Sequence, residues 1–153
     1  MTIDEIRAYV EQLDDVLTLA PGPEDDAPEI AWGDLFFYYA PDGTVPNTQP
    51  FATIVTKDYP DDSASRLDRP DAYRVNLAAG TSEFVRWVGR QPRDDASGDG
   101  DPSAEDVLIP HPVYGDLGWL SVVNPGANTQ EALRELLRGA HQRAQARRER
   151  REG

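Results

Sequence analysis

Three short runs between residues 34 and 77 have the composition of β-strands: DLFFYY (34–39), FATIVT (51–56) and YRVNL (73–77). Aromatic and β-branched residues fit a pleated, half-buried surface. Breakers bound the runs, with Gly33 and Pro41-Asp42-Gly43 around the first and Pro50 before the second. The third run alternates, with Tyr73, Val75 and Leu77 on one face and Arg74 and Asn76 on the other. Such alternation belongs to a sheet with one covered face and one face at least partly wet. No βαβ alternation and no internal repeat accompanies these runs, so the chain is limited to a mainly antiparallel sheet with helices on one face.

The flanks supply the helices. Thr2-Ile3-Asp4-Glu5 has the form of a capping box, and Ile3, Ile6, Val10 and Leu13 recur at helical spacing, predicting a helix that ends near Asp14. Val16–Leu19 reads as a short strand. Thr81 or Ser82 is expected to cap a short middle helix carrying Phe84, Val85 and Val88. Gln91–Ser103 has no large apolar anchor and reads as a flexible acidic loop. Trp119–Val123 is the last strand, and Asn128-Thr129-Gln130-Glu131 opens the final helix with Leu133, Leu136, Leu137 and Ala140 on its apolar side. His141 falls on what reads as that helix's exposed end, and 143–153 as a frayed basic tail. The expectation is one α+β domain over 1–153. It has a mainly antiparallel sheet of about five strands, with an N-terminal, a short middle and a C-terminal helix packed on it.

Charge narrows the function. The 153 residues carry 15 basic and 28 acidic side chains, net −13. Residues 1–133 hold 8 basic and 25 acidic groups, net −17, whereas 134–153 hold 7 and 3, net +4. A body this negative repels phosphate backbones, which argues against general nucleic-acid binding. The absence of cysteine excludes disulfides, thiolate catalysis and cysteine-bound metals. MTIDEIRAYV carries charges inside its apolar pattern and no signal-peptide core, and no run approaches the roughly 18 apolar residues of a membrane span. A soluble cytoplasmic chain is therefore expected.

Three segments, FATIVTKDYP (51–60), SRLDRPDAYRVNL (65–77) and PHPVYGDLGWLSVVNP (110–125), carry a likeness to a known family. The chain resembles an actinobacterial family, domain of unknown function 6194, from DEIRAYV at Asp4 to the last helix. TKDY at 56–59, LDRP at 67–70 and HPVYG at 111–115 are the most specific stretches. The resemblance implies a small stand-alone bacterial domain and no known reaction. More weakly, the order of elements and the W-x-x-V strand before a closing helix look like the YjbR or MmcQ-like proteins, whose double-wing α/β architecture is what this second resemblance implies.

The phosphate loop, the dinucleotide fingerprint and the nucleophile elbow are all absent, and no cofactor is indicated. DDASGDGD (94–101) lacks the calcium-loop order, and two histidines thirty positions apart give no zinc set. Chemistry then rests on single residues. His111, between Pro110 and Pro112, has the side chain that titrates near neutrality and would serve as general base or ligand-orienting donor, with Tyr114 nearby. In the plainer reading the two prolines stiffen a turn and the imidazole bonds a backbone carbonyl there. Lys57, the single lysine, is a candidate nucleophile or a solvated strand end. From Ser63 to Arg93 the local balance is 6 basic to 3 acidic. Arg69 and Arg74 with Lys57 would converge on a carboxylate or phosphate, or else pair with nearby acids. Two functional readings follow. The first is a non-enzymatic module that presents Arg74, Asn76 and neighbouring aromatics to a small anionic ligand or a protein partner. The alternative is a small enzyme using His111 with Lys57 or Tyr114 in one cleft.

Overall fold

The computed structural model describes residues 1–152, the last through its backbone only. The α-helices and strands in chain order are α1 (Ile3–Glu11), β1 (Val16–Leu19), β2 (Leu35–Tyr39), β3 (Ala52–Val55), β4 (Arg74–Ala78), α2 (Thr81–Val88), β5 (Leu108–Pro110), β6 (Trp119–Val123) and α3 (Gln130–Glu152), with single 3-10 turns at Glu29–Ala31 and Gly115–Leu117. The strands form one antiparallel sheet in the order β1-β2-β3-β4-β6-β5. The fold is α+β as expected, with six strands where about five were read. The extra one is Leu-Ile-Pro before His111, too short and too close to proline to read as a strand. It is tolerated because it lies at the sheet edge, where a missing N–H costs no ladder bond.

Register sorts the side chains. Across β2, β3, β4 and β6, Leu35, Ile54, Val75 and Val122 line up on one face, with Phe37, Ala52, Leu77 and Leu120 beside them. All three helices cover that face. Ile6 and Val10 of α1, Phe84 of α2, and Leu133, Leu136, Leu137 and Ala140 of α3 complete one apolar core. At about 25 cal/mol per Å² of apolar surface removed from water, this layer is the main source of stability.

The helix ends follow local chemistry. The capping box at α1 forms, with the Glu5 N–H donating to Thr2 Oγ1 at 3.1 Å and the Thr2 N–H to Glu5 Oε1 at 2.9 Å, but the helix stops at Glu11, short of Asp14. No side chain caps α2, because Gly80, at φ +84°, takes the position expected of Thr81 or Ser82. The start of α3 is held from across the chain by Asp106. Its carboxylate accepts from the Gly126, Asn128 and Thr129 N–H groups and the Thr129 hydroxyl at 2.6–3.0 Å. Residues 143–152, read as a frayed tail, continue α3, and Arg143 donates back to the Ala78 carbonyl; Gly153 lies outside the described residues. His141, expected in solvent, is buried edge-on against Tyr39 and Phe51 with Nε2 2.6 Å from the Asp14 carbonyl oxygen. The acidic stretch 91–103 holds turns and no helix or strand, with Arg90 clamped on Asp99 at 2.6 and 2.9 Å. No described helix is long and apolar enough to cross a membrane.

Among the described residues the opposite face of the sheet carries no α-helix, though the single 3-10 turn Glu29–Ala31 borders it. Part of it lies under the 56–72 loop, where Leu67 and Ala72 pack on Val55 and Val123 with Tyr59 alongside. The remainder is the wall of a cavity.

Candidate functional site

The helix-free face carries its polar residues because the strands alternate. Register places Thr53 of β3, Asn76 of β4 and Ser121 of β6 in one row, with Val55, Arg74 and Val123 in the next. Asn76 joins the three strands: its Nδ2 donates to Thr53 Oγ1 at 3.0 Å, and its Oδ1 accepts from Ser121 Oγ and from Arg74 Nε, both at 2.7 Å. Arg74 then reaches up into the loop. Its Nη1 donates to Asp62 Oδ1 at 3.0 Å and to Ser65 Oγ at 3.1 Å, and its Nη2 to Asp62 Oδ2 at 2.5 Å. A two-point guanidinium–carboxylate pair is the strong, directional form of this contact. Arg74 and Asn76 are each 1% exposed, so these two are dry where the alternation alone suggested water, whereas Phe36, Tyr38, Thr53 and Trp119 on the same face are half-buried. Burial works to raise the Asp62 carboxyl, and Arg74 outweighs it, holding the group below the usual carboxylate range.

Above this network opens a cavity of about 450 Å³, within the size range of small-molecule sites. Phe36, Tyr38, Trp119 and Tyr114 supply aromatic walls, and Arg74, Asn76 and His111 supply the polar groups. Ile30, Val113 and Tyr114 line it and are exposed. The rings of His111 and Tyr114 lie 4.8 Å apart, and that of Trp119 is 6.1 Å from each.

His111 is 5% exposed, and its ring holds the turn that follows it. Nδ1 accepts the backbone N–H groups of Val113 and Tyr114, both at 3.0 Å. The sequence reading had the imidazole bonding a carbonyl; instead it serves as acceptor for two amides, because the chain after Pro112 turns its N–H groups inward. Nε2 lies 3.4 Å from Arg74 Nη2. Burial first, and then the Arg74 charge, push the imidazole down to about 3 against the pull of Asp62. It is neutral at physiological pH.

Of the six candidate residues, the structure brings four together. His111, Tyr114, Arg74 and Asn76 line one cavity, and Lys57 and Arg69 do not. Lys57 Nζ is bonded to Asp34 Oδ1 at 2.8 Å and to the Trp32 carbonyl at 2.9 Å. Asp34 is fully buried and also accepts from the Thr56 N–H and hydroxyl and from Tyr59 OH. Burial and that carboxylate raise the Tyr59 phenol. Arg69 Nη2 donates to the Ser103 carbonyl at 2.7 Å, tying the loop to the far segment, and its Nε is buried without a partner. Arg69, Arg74 and Lys57 do not converge on one anion: Lys57 and Arg74 take the other course open to them and pair with acids, Asp34 and Asp62, and Arg69 bonds a backbone carbonyl.

Several site residues escaped the sequence reading. Thr53 and Ser121 are found only through the pairing of β3 and β6 with β4. Asp62 and Ser65 sit in a loop whose fold over the sheet no local pattern announces. Among the described residues no group of three or more His, Asp or Glu side chains is arranged to hold a metal.

No curated protein and no solved structure matches this sequence. The match that exists runs through every element described above, from residue 1 to residue 153, and by it the chain belongs to DUF6194, a family of unknown function.

Proposed function

We propose that this domain is a small-molecule-binding module without catalytic chemistry, and that the cavity on the helix-free face is its site. One observation carries the reading: an aromatic-walled pocket of about 450 Å³ stands over a buried polar network that is already knit together inside the protein. A preformed apolar pocket with a few fixed polar groups is the usual form of a ligand site.

The chemistry of the groups argues against the enzyme alternative. A general base needs a free lone pair and a pKa near the working pH. His111 Nδ1 spends its lone pair on two backbone amides, and the ring is pushed down to about 3. Lys57 is held by Asp34 and Trp32 outside the cavity. The expectation of an anionic ligand also changes. Asp62 balances the charge of Arg74, and Asp61 adds a second carboxylate to the lining, so a ligand without net negative charge suits the pocket better. A protein partner would meet the exposed Ile30, Val113 and Tyr114 at the rim. A common architecture with the YjbR or MmcQ-like proteins remains part of the proposal, carried by element order. DNA binding does not, given the −17 charge of residues 1–133.

The test is an amide ¹H–¹⁵N shift screen against a library of small uncharged aromatic compounds. Binders are expected to move the Thr53, Val113 and Tyr114 signals together, saturably and with the compound recovered unchanged. A library that leaves those signals still, or a binder that is converted, overturns the reading.

A further inference from the structure

The two ring nitrogens of His111 are unlike, and the difference fixes where its proton sits. Nδ1 lies 3.0 Å from two backbone nitrogens, Val113 and Tyr114, each of which can only donate. A nitrogen that accepts two N–H bonds carries no hydrogen, so the neutral ring holds its proton on Nε2. The neighbour of Nε2 is Arg74 Nη2 at 3.4 Å, and a guanidinium nitrogen does not accept. That short approach is therefore a donor facing a donor.

Arg74 leads to the same place. It has five N–H groups. Nε goes to Asn76, Nη1 serves Asp62 and Ser65, and one hydrogen of Nη2 goes to Asp62. The fifth is the one beside His111. Two N–H groups thus lie side by side, one from β4 and one from the turn after β5, on residues that both line the cavity and are 1% and 5% exposed. No described protein group accepts from either.

We infer that Arg74 Nη2 and His111 Nε2 form a two-donor anchor for a single uncharged acceptor oxygen, so that the ligand is a flat, largely apolar molecule bearing a ketone, ester or amide carbonyl. This rests on the cavity being a binding site, as proposed above. An oxygen about 2.9 Å from each nitrogen closes a triangle on the 3.4 Å edge with ordinary hydrogen-bond lengths. The body of such a molecule meets Phe36, Tyr38, Tyr114 and Trp119. The carbonyl is preferred to a carboxylate or phosphate because the charged lining is Asp61 and Asp62 against Arg74 alone, and an added anion would be buried beside unbalanced negative charge.

Three probes of one ring size test the anchor by the same amide-shift titration: acetophenone, ethylbenzene and benzoate. Acetophenone is expected to bind at least about tenfold more tightly than ethylbenzene, the net worth of a single hydrogen bond, with benzoate weaker than acetophenone. In His111→Asn the shorter side chain still offers an oxygen to the turn amides but does not reach the Nε2 position, so acetophenone is expected to lose part of its advantage over ethylbenzene, the Arg74 donor remaining. Equal binding of acetophenone and ethylbenzene to the unsubstituted protein overturns the anchor and leaves the cavity reading standing. Tightest binding by benzoate overturns the uncharged-oxygen assignment. Failure of all three to move the cavity amides overturns the anchor and the cavity reading together. A long-range ¹H–¹⁵N spectrum of the imidazole is an independent check: a proton found on Nδ1 removes the anchor whatever binds.

Discussion

The two faces of the sheet are made by the same strands and covered in opposite ways. On the helix side, Leu35, Phe37, Ile54, Val75, Leu77 and Val122 meet apolar helix residues, and nothing needs a particular partner beyond shape. On the loop side, Arg74, Asn76 and Ser121 are buried, Thr53 is half-buried beside them, and the contacts among these four are specific and directional. Dispersion and the hydrophobic effect tolerate exchange between residues of similar volume. A buried ion pair does not tolerate the loss of one member, because the other is left charged and dry. The helix face therefore makes the domain stable, and the loop face makes it particular.

The widest separation between the faces comes from the Arg74–Asp62 pair. Asp62→Ala strands a guanidinium that is 1% exposed and is expected to cost about 3–5 kcal/mol in chemical denaturation. Truncation of a fully buried aromatic on the other face, Phe37→Ala, is expected to cost a similar amount through the cavity it leaves. The distinction lies in rescue. Adding Arg74→Met to an Asp62→Leu chain removes both charges and is expected to recover most of the loss, whereas no change to a single neighbour restores Phe37→Ala. A double variant as unstable as Asp62→Ala would show that the pair is not what holds the loop.

How far each face was legible follows from the same contrast. Alternation in YRVNL assigned Val75 and Leu77 to one side and Arg74 and Asn76 to the other, and the pairing confirms that division. Helical spacing likewise found the α1 and α3 residues that cover the apolar side. What covers the polar side was not legible. Asp62 is one of 28 acids, and only the path of the 56–72 loop selects it. Lys57 drew notice through its rarity, yet its ammonium is used to close the start of β2 onto the end of β3. His141 looked solvated because the apolar spacing ends at Ala140, and Tyr39 and Phe51, which bury it, are far away in sequence. Periodicity reports which way a side chain points, and not what another segment will lay over it.

Acid offers a milder way to separate the faces. The folded His111 ring is pushed down to about 3, against an ordinary value of 6.5. The unfolded chain therefore takes up a proton that the native state refuses, and stability falls as pH drops below 6.5 until the folded ring titrates. Between pH 6.5 and 5, above the range of the carboxylates, this is worth about 2 kcal/mol at 1.36 kcal/mol per pH unit. Denaturation midpoints of the unsubstituted protein should slide across that window, and those of His111→Asn should stay flatter. His141 is common to both chains, so the difference between their two slopes reports the loop-face histidine alone.

The smallest contrast lies within the loop face, at the two ends of the Asn76 bridge. Thr53 Oγ1 is the acceptor for Asn76 Nδ2, whereas Ser121 Oγ donates to an Asn76 oxygen that also receives Arg74 Nε. Thr53→Val removes what is, among the described residues, the one acceptor of Asn76 Nδ2, on a side chain that is 1% exposed, leaving an N–H to be satisfied from the cavity or not at all. Ser121→Ala removes one of two donors from an oxygen that keeps the charged one. The first is expected to cost about 1–3 kcal/mol and the second about 0.5–1.5 kcal/mol. The carbonyl oxygen of a cavity occupant is already taken by Arg74 and His111 and leaves no acceptor for Asn76 Nδ2, and the occupant's bulk excludes the water that would otherwise reach it. Thr53→Val should therefore lose more acetophenone affinity than Ser121→Ala, and equal losses would mean that Asn76 senses the strands beneath it and not the cavity above.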